Sequence, residues 1–566
     1  MLESDVLIRN IVRIAEAEPD RVFAKLSYPQ PPSITITYAE LLTNGAKYAT
    51  LYKRNGVREA DVVVIILNHG VELLYSFVGA LLYGAIPSIF APSSARIPAQ
   101  EYSRTLMRSL EVCNTRFLLT DKETSARLFE QEILRENVRV LRADEYANCP
   151  ESTDNLPSDP KSIVLLQHSS GTTGLKKGVA LSNQSVINQL RNYTATLPIR
   201  EDDKIASWLP LYHDMGLVAC FILPMACGVS LVLMSPFDWI ANPSMLLRAI
   251  HEERCTLCWM PNFAYNFLAT RLTEEQTKNL DLGSMRAFIN CAEPISVRSH
   301  EIFYERFRPN GLREEILRTC YAMAENTFAV TQSGMGVVKT EVLDAEVLRT
   351  RRHAQFASPT TKVRQTAISS GEVIPNNEIR IFDDQGQQLP ERSIGEIAIR
   401  SDSLLTEYYH REDLTQQAFR DGWYLTGDLG YLAERNLFVV GRKKDMIIVA
   451  GKNIYPQDIE EIVSSIDGIH PGRVVAFGIY DEIVGTEQVV ILAESEVEDR
   501  TKQLAMKLAI AKAVREQLEC IAHEIVLLPP MWLLKSSSGK ISRPGNREKY
   551  DRELKRHGSL GEKTES

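Results

Sequence analysis

The sequence predicts an α/β protein with a second, smaller module at its carboxyl end. Three observations predict it. Strand-like apolar runs alternate with amphipathic helical patterns through the first two-thirds of the chain, the rhythm of βαβ units. At 566 residues the chain exceeds what one hydrophobic core supports, so two or more domains are expected. Around residues 441–445 the character then changes, and a compact βαβ-like module follows.

Taken in order, residues 62–67 read as a buried strand, 72–83 as a helix and 85–90 as the next strand. Gly79, Gly84 and Pro87 interrupt the apolar run from 73 to 90, which argues against a membrane span. Residues 151–160 are polar with prolines and form a loop. The apolar runs 163–166 and 179–181 flank a stretch rich in glycine and hydroxyl residues, the layout of a strand–turn–strand hairpin. Residues 218–234 could mimic a membrane span. Pro224 and Gly228 break the run, so a buried helix leading into a buried strand is expected. Cys255-x-x-Cys258 sits among Thr256, Leu257, Trp259 and Met260 and reads as a buried strand, not a zinc or redox pair. Residues 431–441 suggest a hairpin. The terminal module is read as strand 446–450, helix 459–466, strands 474–479 and 489–493, and helix 503–518. The tail from about residue 557 is polar and expected to fray.

Composition narrows the function. Hydrophobic residues make up 44% and charged residues 24%, as in an ordinary soluble globular enzyme. The net charge of −9 argues against nucleic acid as the main partner. Nine scattered cysteines without regular spacing fit a reducing cytoplasm. The first ten residues lack the basic and apolar regions of a signal peptide, and no stable membrane insertion is expected.

The segment Ser169-Ser170-Gly171-Thr172-Thr173-Gly174-Leu175-Lys176-Lys177-Gly178 carries the most chemistry. Glycines let backbone N–H groups approach an anion, hydroxyls donate to phosphate oxygens, and a lysine adds a point charge. The order differs from a P-loop, which needs GxxxxGK[ST] before a helix. A surface turn with two solvated lysines is the plain alternative. Further motifs follow: Trp208-Leu-Pro-Leu-Tyr-His-Asp-Met-Gly216, Asn290-Cys-Ala-Glu-Pro294, Tyr321-Ala-Met-Ala-Glu325, Tyr424-Leu-Thr-Gly-Asp-Leu-Gly430, Gly441-Arg-Lys-Lys-Asp445 and Ser537-Ser-Gly-Lys540.

With these motifs in this order, nearly the whole chain resembles the superfamily of adenylate-forming enzymes: acyl-CoA synthetases, luciferases and the adenylation modules of peptide synthetases. The resemblance implies a large N-terminal domain, residues 1–443, of stacked β-sheets with flanking helices and a distorted β-barrel. It implies a small mobile α+β domain, residues 444–566, turning about Lys444. The implied reaction joins a carboxylate to the α-phosphate of ATP and expels pyrophosphate. Ser170, Gly171, Thr172, Thr173, Gly174 and Lys177 would hold the β- and γ-phosphates. Glu325 would hold Mg²⁺, and Asp428 with Arg442 would take the ribose and phosphate. Tyr321, Ala322 and the backbone of Ala292, Glu293 and Pro294 would line the adenine slot, although the family has glycine where this chain has Ala322. Lys540 would reach across the domain interface to the carboxylate and α-phosphate. His213 would sit near the acyl carboxylate, and Pro261-Asn262-Phe263-Ala264-Tyr265 would wall the acyl pocket. Taken singly, several have plainer readings: a turn aspartate at 428, a solvated loop lysine at 540, a helix-capping pair at His213–Asp214.

Two features resemble the fatty acyl-AMP ligase branch: Gly451-Lys-Asn-Ile-Tyr-Pro-Gln-Asp-Ile-Glu460, and a long polar segment near 340–363. In that branch an insertion here packs against the C-terminal domain and opposes CoA use. The resemblance thus implies a fatty or related carboxylic acid as substrate and the phosphopantetheine thiol of an acyl carrier protein as acceptor. The basic residues Arg547, Lys549, Arg552, Lys555 and Arg556 on the last helix are a candidate docking face for an acidic carrier, or only a solvated face. An acyl-CoA synthetase, an amino-acid adenylation protein and a non-catalytic homologue are the alternatives.

Overall fold

The computed structural model describes residues 2–93, 99–130, 138–151, 156–168, 177–449, 452–481, 486–518, 520–535 and 540–554. Among them, a 14-stranded sheet organises the large lobe. Its centre is parallel: Val22–Ser27, Ser230–Met234, Lys204–Ser207, Leu257–Met260, Ala287–Asn290 and Leu317–Ala322 lie side by side. These strands are short and almost wholly buried, as strands covered on both faces must be. Their carboxyl ends share one edge, and ligands of open parallel sheets bind at such an edge. Beyond Leu317–Ala322 the pairing turns antiparallel through Ala329–Gln332 and Glu372–Val373 to the long strands Asn436–Arg442 and Trp423–Ala433. The strands expected as a distorted barrel continue this sheet, out to Gly395–Ser401 and Asn377–Phe382.

A second sheet of four parallel strands, Ile86–Ile89, Val62–Ile66, Phe117–Thr120 and Arg139–Arg142, packs beside the first. Its helix Val71–Tyr83 follows the strand Val62–Ile66, as the apolar pattern predicts. Ile163–His168 and Gly178–Ser182 form the expected antiparallel pair. The tip between them, which holds Ser170, Gly171, Thr172, Thr173 and Gly174, lies outside the described residues. Glu407–Tyr408 adds a third strand to this pair.

The run 218–234 is buried as expected, but its helix starts three residues earlier and opens with π pitch, Met215–Ile222, before the α-helix Leu223–Cys227. Gly228, at φ 75°, turns the chain into Ser230–Met234. Cys258 is buried in the strand Leu257–Met260, and burial pushes its thiol up. All nine cysteines are buried free thiols. No described helix is long and apolar enough to cross a membrane.

After Arg442 a separate hydrophobic cluster forms around Ile447, Ile459, Val463, Val474, Ile491, Ile510 and Val514. Strands Ile469–Asp481 and Thr486–Ser495 pair antiparallel, and Ala522–Leu528 joins parallel after the helix Arg500–Leu518. Residues 340–368 form a hairpin, Thr340–Asp344 with Arg364–Ile368, that carries a short helix, Ala345–Thr350. Leu343, Leu348 and Ala354 pack from this insertion into one cluster with Tyr431, Phe438 and Tyr455. The basic face of the last helix, Arg543–Glu553, is partly engaged. Lys549 donates to the Trp532 carbonyl (2.8 Å), Arg547 is exposed, and Lys555 and Arg556 lie outside the described residues.

Candidate active site

Three segments leave the carboxyl edge of the parallel strands and supply much of the predicted site. Trp208–Gly216 follows the strand Lys204–Ser207. Residues 291–294 follow Ala287–Asn290, and Tyr321–Glu325 spans the end of Leu317–Ala322. Sequence spacing brings none of these together; parallel pairing does.

Asp428 does not sit in a turn. It lies within the strand Trp423–Ala433, directly opposite Arg442 in the antiparallel register. The Arg442 Nε approaches its carboxylate at 3.2 Å, and the Tyr321 hydroxyl donates to its other oxygen at 2.7 Å. The backbone N–H of Asp428 donates to Thr426 Oγ1 (3.0 Å), which fixes the bend that aims the carboxylate. The Asp428 charge holds the Arg442 guanidinium above its usual range. Burial and the same carboxylate push the Tyr321 phenol far up. The result is a rigid acceptor–donor edge suited to a diol and a phosphate.

Glu325 sits in a 3₁₀ turn, Ala324–Asn326. Thr327, just after it, is fully buried at φ 61° and donates to the Ser403 carbonyl (2.7 Å). Such backbone strain persists only where surrounding structure enforces it. The Tyr408 hydroxyl donates to Glu325 Oε1 at 3.0 Å, and Lys177 Nζ lies 4.4 Å from the Tyr408 ring centre. Tyr408 pairs with Val179 across the hairpin, so one tyrosine ties the phosphate-loop base to Glu325. Burial raises the Glu325 carboxyl, with Lys177 and the Tyr408 bond working the other way. A buried carboxylate that is incompletely compensated fits a divalent cation. Among the described residues no group of three or more His, Cys, Asp or Glu could hold a metal. One carboxylate plus substrate phosphates is the donor set that suits Mg²⁺.

His213 Nδ1 and Asp214 Oδ1 lie 2.5 Å apart, and Asp214 also caps the π-helix by accepting from the Met215 N–H at 2.8 Å. Burial disfavours the Asp214 charge, but His213 and Lys540 outweigh it and hold the carboxyl at about 2. Lys540, from the far end of the chain, thus lies near enough for its charge to act on Asp214. Gly216 closes this motif because a Cβ there would sit 2.3 Å from the Pro210 carbonyl oxygen.

Ala292 is held at φ 72°, and the Glu293 carboxylate accepts from the Phe263 N–H (2.9 Å). Glu293 thus anchors the helix Asn262–Arg271 to the segment ending at Pro294. Ala322 is partly buried at its strand end. Lys444 is exposed; partial desolvation lowers its ammonium, and the neighbouring Arg442 adds to this.

Three residues make contacts to which sequence reasoning gave no role. Tyr408 lies in an ordinary-looking Glu-Tyr-Tyr. Gln457 donates to the Val440 carbonyl (2.5 Å) against Gly441, where a Cβ would strike its amide. Arg543 bridges Asp445 (2.6 Å) and Glu460 (2.7 Å) and donates to the Ala476 carbonyl. The signal for Arg543 was its place three residues after Lys540.

Known proteins resemble this chain in sequence and fold. Residues 12–409 match the AMP-binding enzyme family. A long-chain-fatty-acid–AMP ligase of Mycobacterium marinum is 29% identical over 570 residues, covering 95% of each chain. A 4-hydroxyphenylalkanoate adenylyltransferase of Mycobacterium tuberculosis is 28% identical over 87% of this chain and 82% of its own. A solved structure from work on fatty acyl-adenylate ligases of E. coli and L. pneumophila superposes with a TM-score of 0.90 at 27% identity. It covers 99% of this chain and all of its own. On the match over residues 12–409, with its ordered motifs meeting at one edge of the sheet, the chain belongs to the AMP-binding enzyme family.

Proposed function

We propose that the protein activates a fatty or related carboxylic acid with ATP to acyl-AMP, releasing pyrophosphate. The acyl group then passes to the phosphopantetheine thiol of an acyl carrier protein. The Tyr321–Asp428–Arg442 edge carries this reading, and the Lys540 charge that helps lower Asp214 supports it. The acid's carboxylate oxygen attacks the α-phosphorus, and the bond to the β-phosphate oxygen breaks. Two anions must approach, so cations and oriented donors dominate catalysis. Ser170, Gly171, Thr172, Thr173, Gly174 and Lys177 grip the β- and γ-phosphates. Asp428 takes the ribose hydroxyls, Arg442 the ribose and phosphate, and Tyr321, Ala322 and residues 292–294 the adenine. Lys540 neutralises the oxygens between carboxylate and α-phosphate. Glu325 would hold Mg²⁺, which when bound supplies positive charge to the phosphates.

Residues 444–566 form a lid that turns about Lys444 and delivers Lys540. The insertion supports the carrier-protein branch, because it is bonded to that lid. Arg349 donates to the Gln517 carbonyl (3.1 Å) and Gln365 to Asp458 (3.1 Å). The relatives named as fatty-acid–AMP ligases support the acyl substrate. Pyrophosphate release and mass-spectrometric detection of acyl-AMP, over a panel of carboxylic acids, test the first half-reaction. Release with none of them overturns it.

A further inference from the structure

We propose that Trp239 sets the length of acyl tail that the site accepts, an assignment that rests on the carboxylate-activation reading above. The parallel strands Lys204–Ser207, Ser230–Met234 and Leu257–Met260 end side by side. Each delivers an aromatic residue to the same place. Trp208 directly follows the first, Trp239 lies on the short helix Pro236–Ala241 after the second, and Phe263 and Phe267 lie on Asn262–Arg271 after the third. The two indoles stack face to face, with ring centres 3.6 Å apart and planes 6° from parallel. Phe263 meets both, at 5.9 and 6.3 Å, and Phe267 lies 5.4 Å from Trp239.

The place of this group decides its meaning. Trp208 stands five residues before His213 on one continuous segment. Phe263 is tied through its backbone to Glu293, and Lys535 of the carboxyl-terminal lobe lies 5.3 Å from its ring centre. The aromatic group therefore draws on the segment that carries His213–Asp214, through Trp208, and is tied to the 290–294 segment through Phe263. A carboxylate held beside His213 directs its tail at this apolar face. Trp239 is fully buried there.

Among the described residues neither indole N–H meets a protein acceptor, although buried indoles ordinarily find one. Trp239 is thus held by stacking and packing, without a polar anchor. A smaller side chain at 239 enlarges the space and breaks no hydrogen bond. A methylene that finds apolar room is worth about fourfold in affinity, and one that does not opposes binding. The stacked pair accordingly acts as the end wall of the tail pocket.

The test is pyrophosphate release by the full chain with hexanoic, octanoic, dodecanoic and palmitic acids, for wild type, Trp239→Ala and the milder Trp239→Leu. The readout is the ratio of kcat/KM between acids, which a merely structural role does not move. Wild type is expected to favour the shorter acids. Both variants are expected to shift the palmitic-to-octanoic ratio upward by roughly tenfold or more, the scale on which a few methylenes discriminate. Equal use of palmitic and octanoic acids by wild type overturns the proposal without any variant. So does an unshifted ratio in whichever variant remains folded. Absence of turnover with every acid in wild type overturns the carboxylate-activation reading itself, and the proposal with it.

Discussion

Lys540 carries its function at the scale of a single charge. Its ammonium helps hold Asp214 ionised, and it is proposed to meet negative charge that builds only in the transition state. Lys540→Ala is expected to abolish acyl-adenylate formation, a loss of about 3 kcal/mol or more in kcat/KM, with the thermal midpoint unchanged. Single-turnover acyl-AMP assays beside melting curves check this, and normal turnover by the variant would refute the role. Asp428 works differently, because its partners already exist in the protein. Asp428→Ala strips Tyr321 and Arg442 of their shared acceptor as well as removing the proposed ribose contact. It should weaken ATP by about 1.5–3 kcal/mol, the usual cost of lost charged hydrogen bonds, read as a raised KM for ATP.

Among the elements, the helix Pro456–Ser464 meets the insertion through Asp458. Burial lifts this carboxyl to about 7; Glu461 adds to the lift and Arg349 opposes it. The folded chain therefore keeps a proton that the unfolded chain releases near pH ~4. The stability tied to that proton is fully present below the unfolded value and is lost as pH rises towards 7. Melting temperature should fall between pH 5 and 8 in the wild type. Asp458→Asn, which keeps an acceptor for Gln365, should flatten that fall; parallel pH profiles of the two proteins would disprove the account. In the last helix, Arg547 is exposed, and among the described residues Arg552 pairs with its neighbour Glu553 alone. Charge reversal at both is expected to slow acyl transfer to a carrier protein at low salt and to leave adenylation intact. Transfer rates at two ionic strengths decide it, since a merely solvated face would change neither half-reaction. Lys549 is unsuitable for that test, because it is bonded to Trp532.

Taken whole, the molecule joins its carboxyl-terminal cluster to the large lobe at several points. The insertion contributes Arg349 and Gln365, Ser296, two residues past Pro294, donates to Glu461 (2.8 Å), and Phe263 lies under Lys535. Excising residues 340–363 is a poor probe, because Leu343, Leu348 and the buried Glu341–Arg392 pair belong to the core. Arg349→Ala cuts one tie and spares that packing. The intact protein should make acyl-AMP but little acyl-CoA when CoA is supplied. Arg349→Ala should raise the acyl-CoA fraction, measured by mass spectrometry of the products. Efficient acyl-CoA synthesis by the wild type would instead favour an acyl-CoA synthetase.

The sequence by itself determined the α/β class and the order of the chemistry-bearing motifs, and it singled out Lys177, His213, Glu325, Asp428, Arg442 and Lys540 as candidates. Those were legible because hydrophobic periodicity and short motifs are local, and a few residues suffice to state them. What the tertiary structure decided is who meets whom. Asp428 faces Arg442 only because two long strands pair in one register, and Tyr321 joins them from the parallel sheet. Tyr408 sits in unremarkable sequence, Gln457 and Arg543 sit in or beside motifs that do not say what they touch, and the partners of all three lie 17 to 98 residues away. The π pitch at Met215–Ile222 was equally hidden, since an apolar run is buried alike at either pitch. Contacts between distant segments depend on register and packing, which a linear pattern of residue types does not encode.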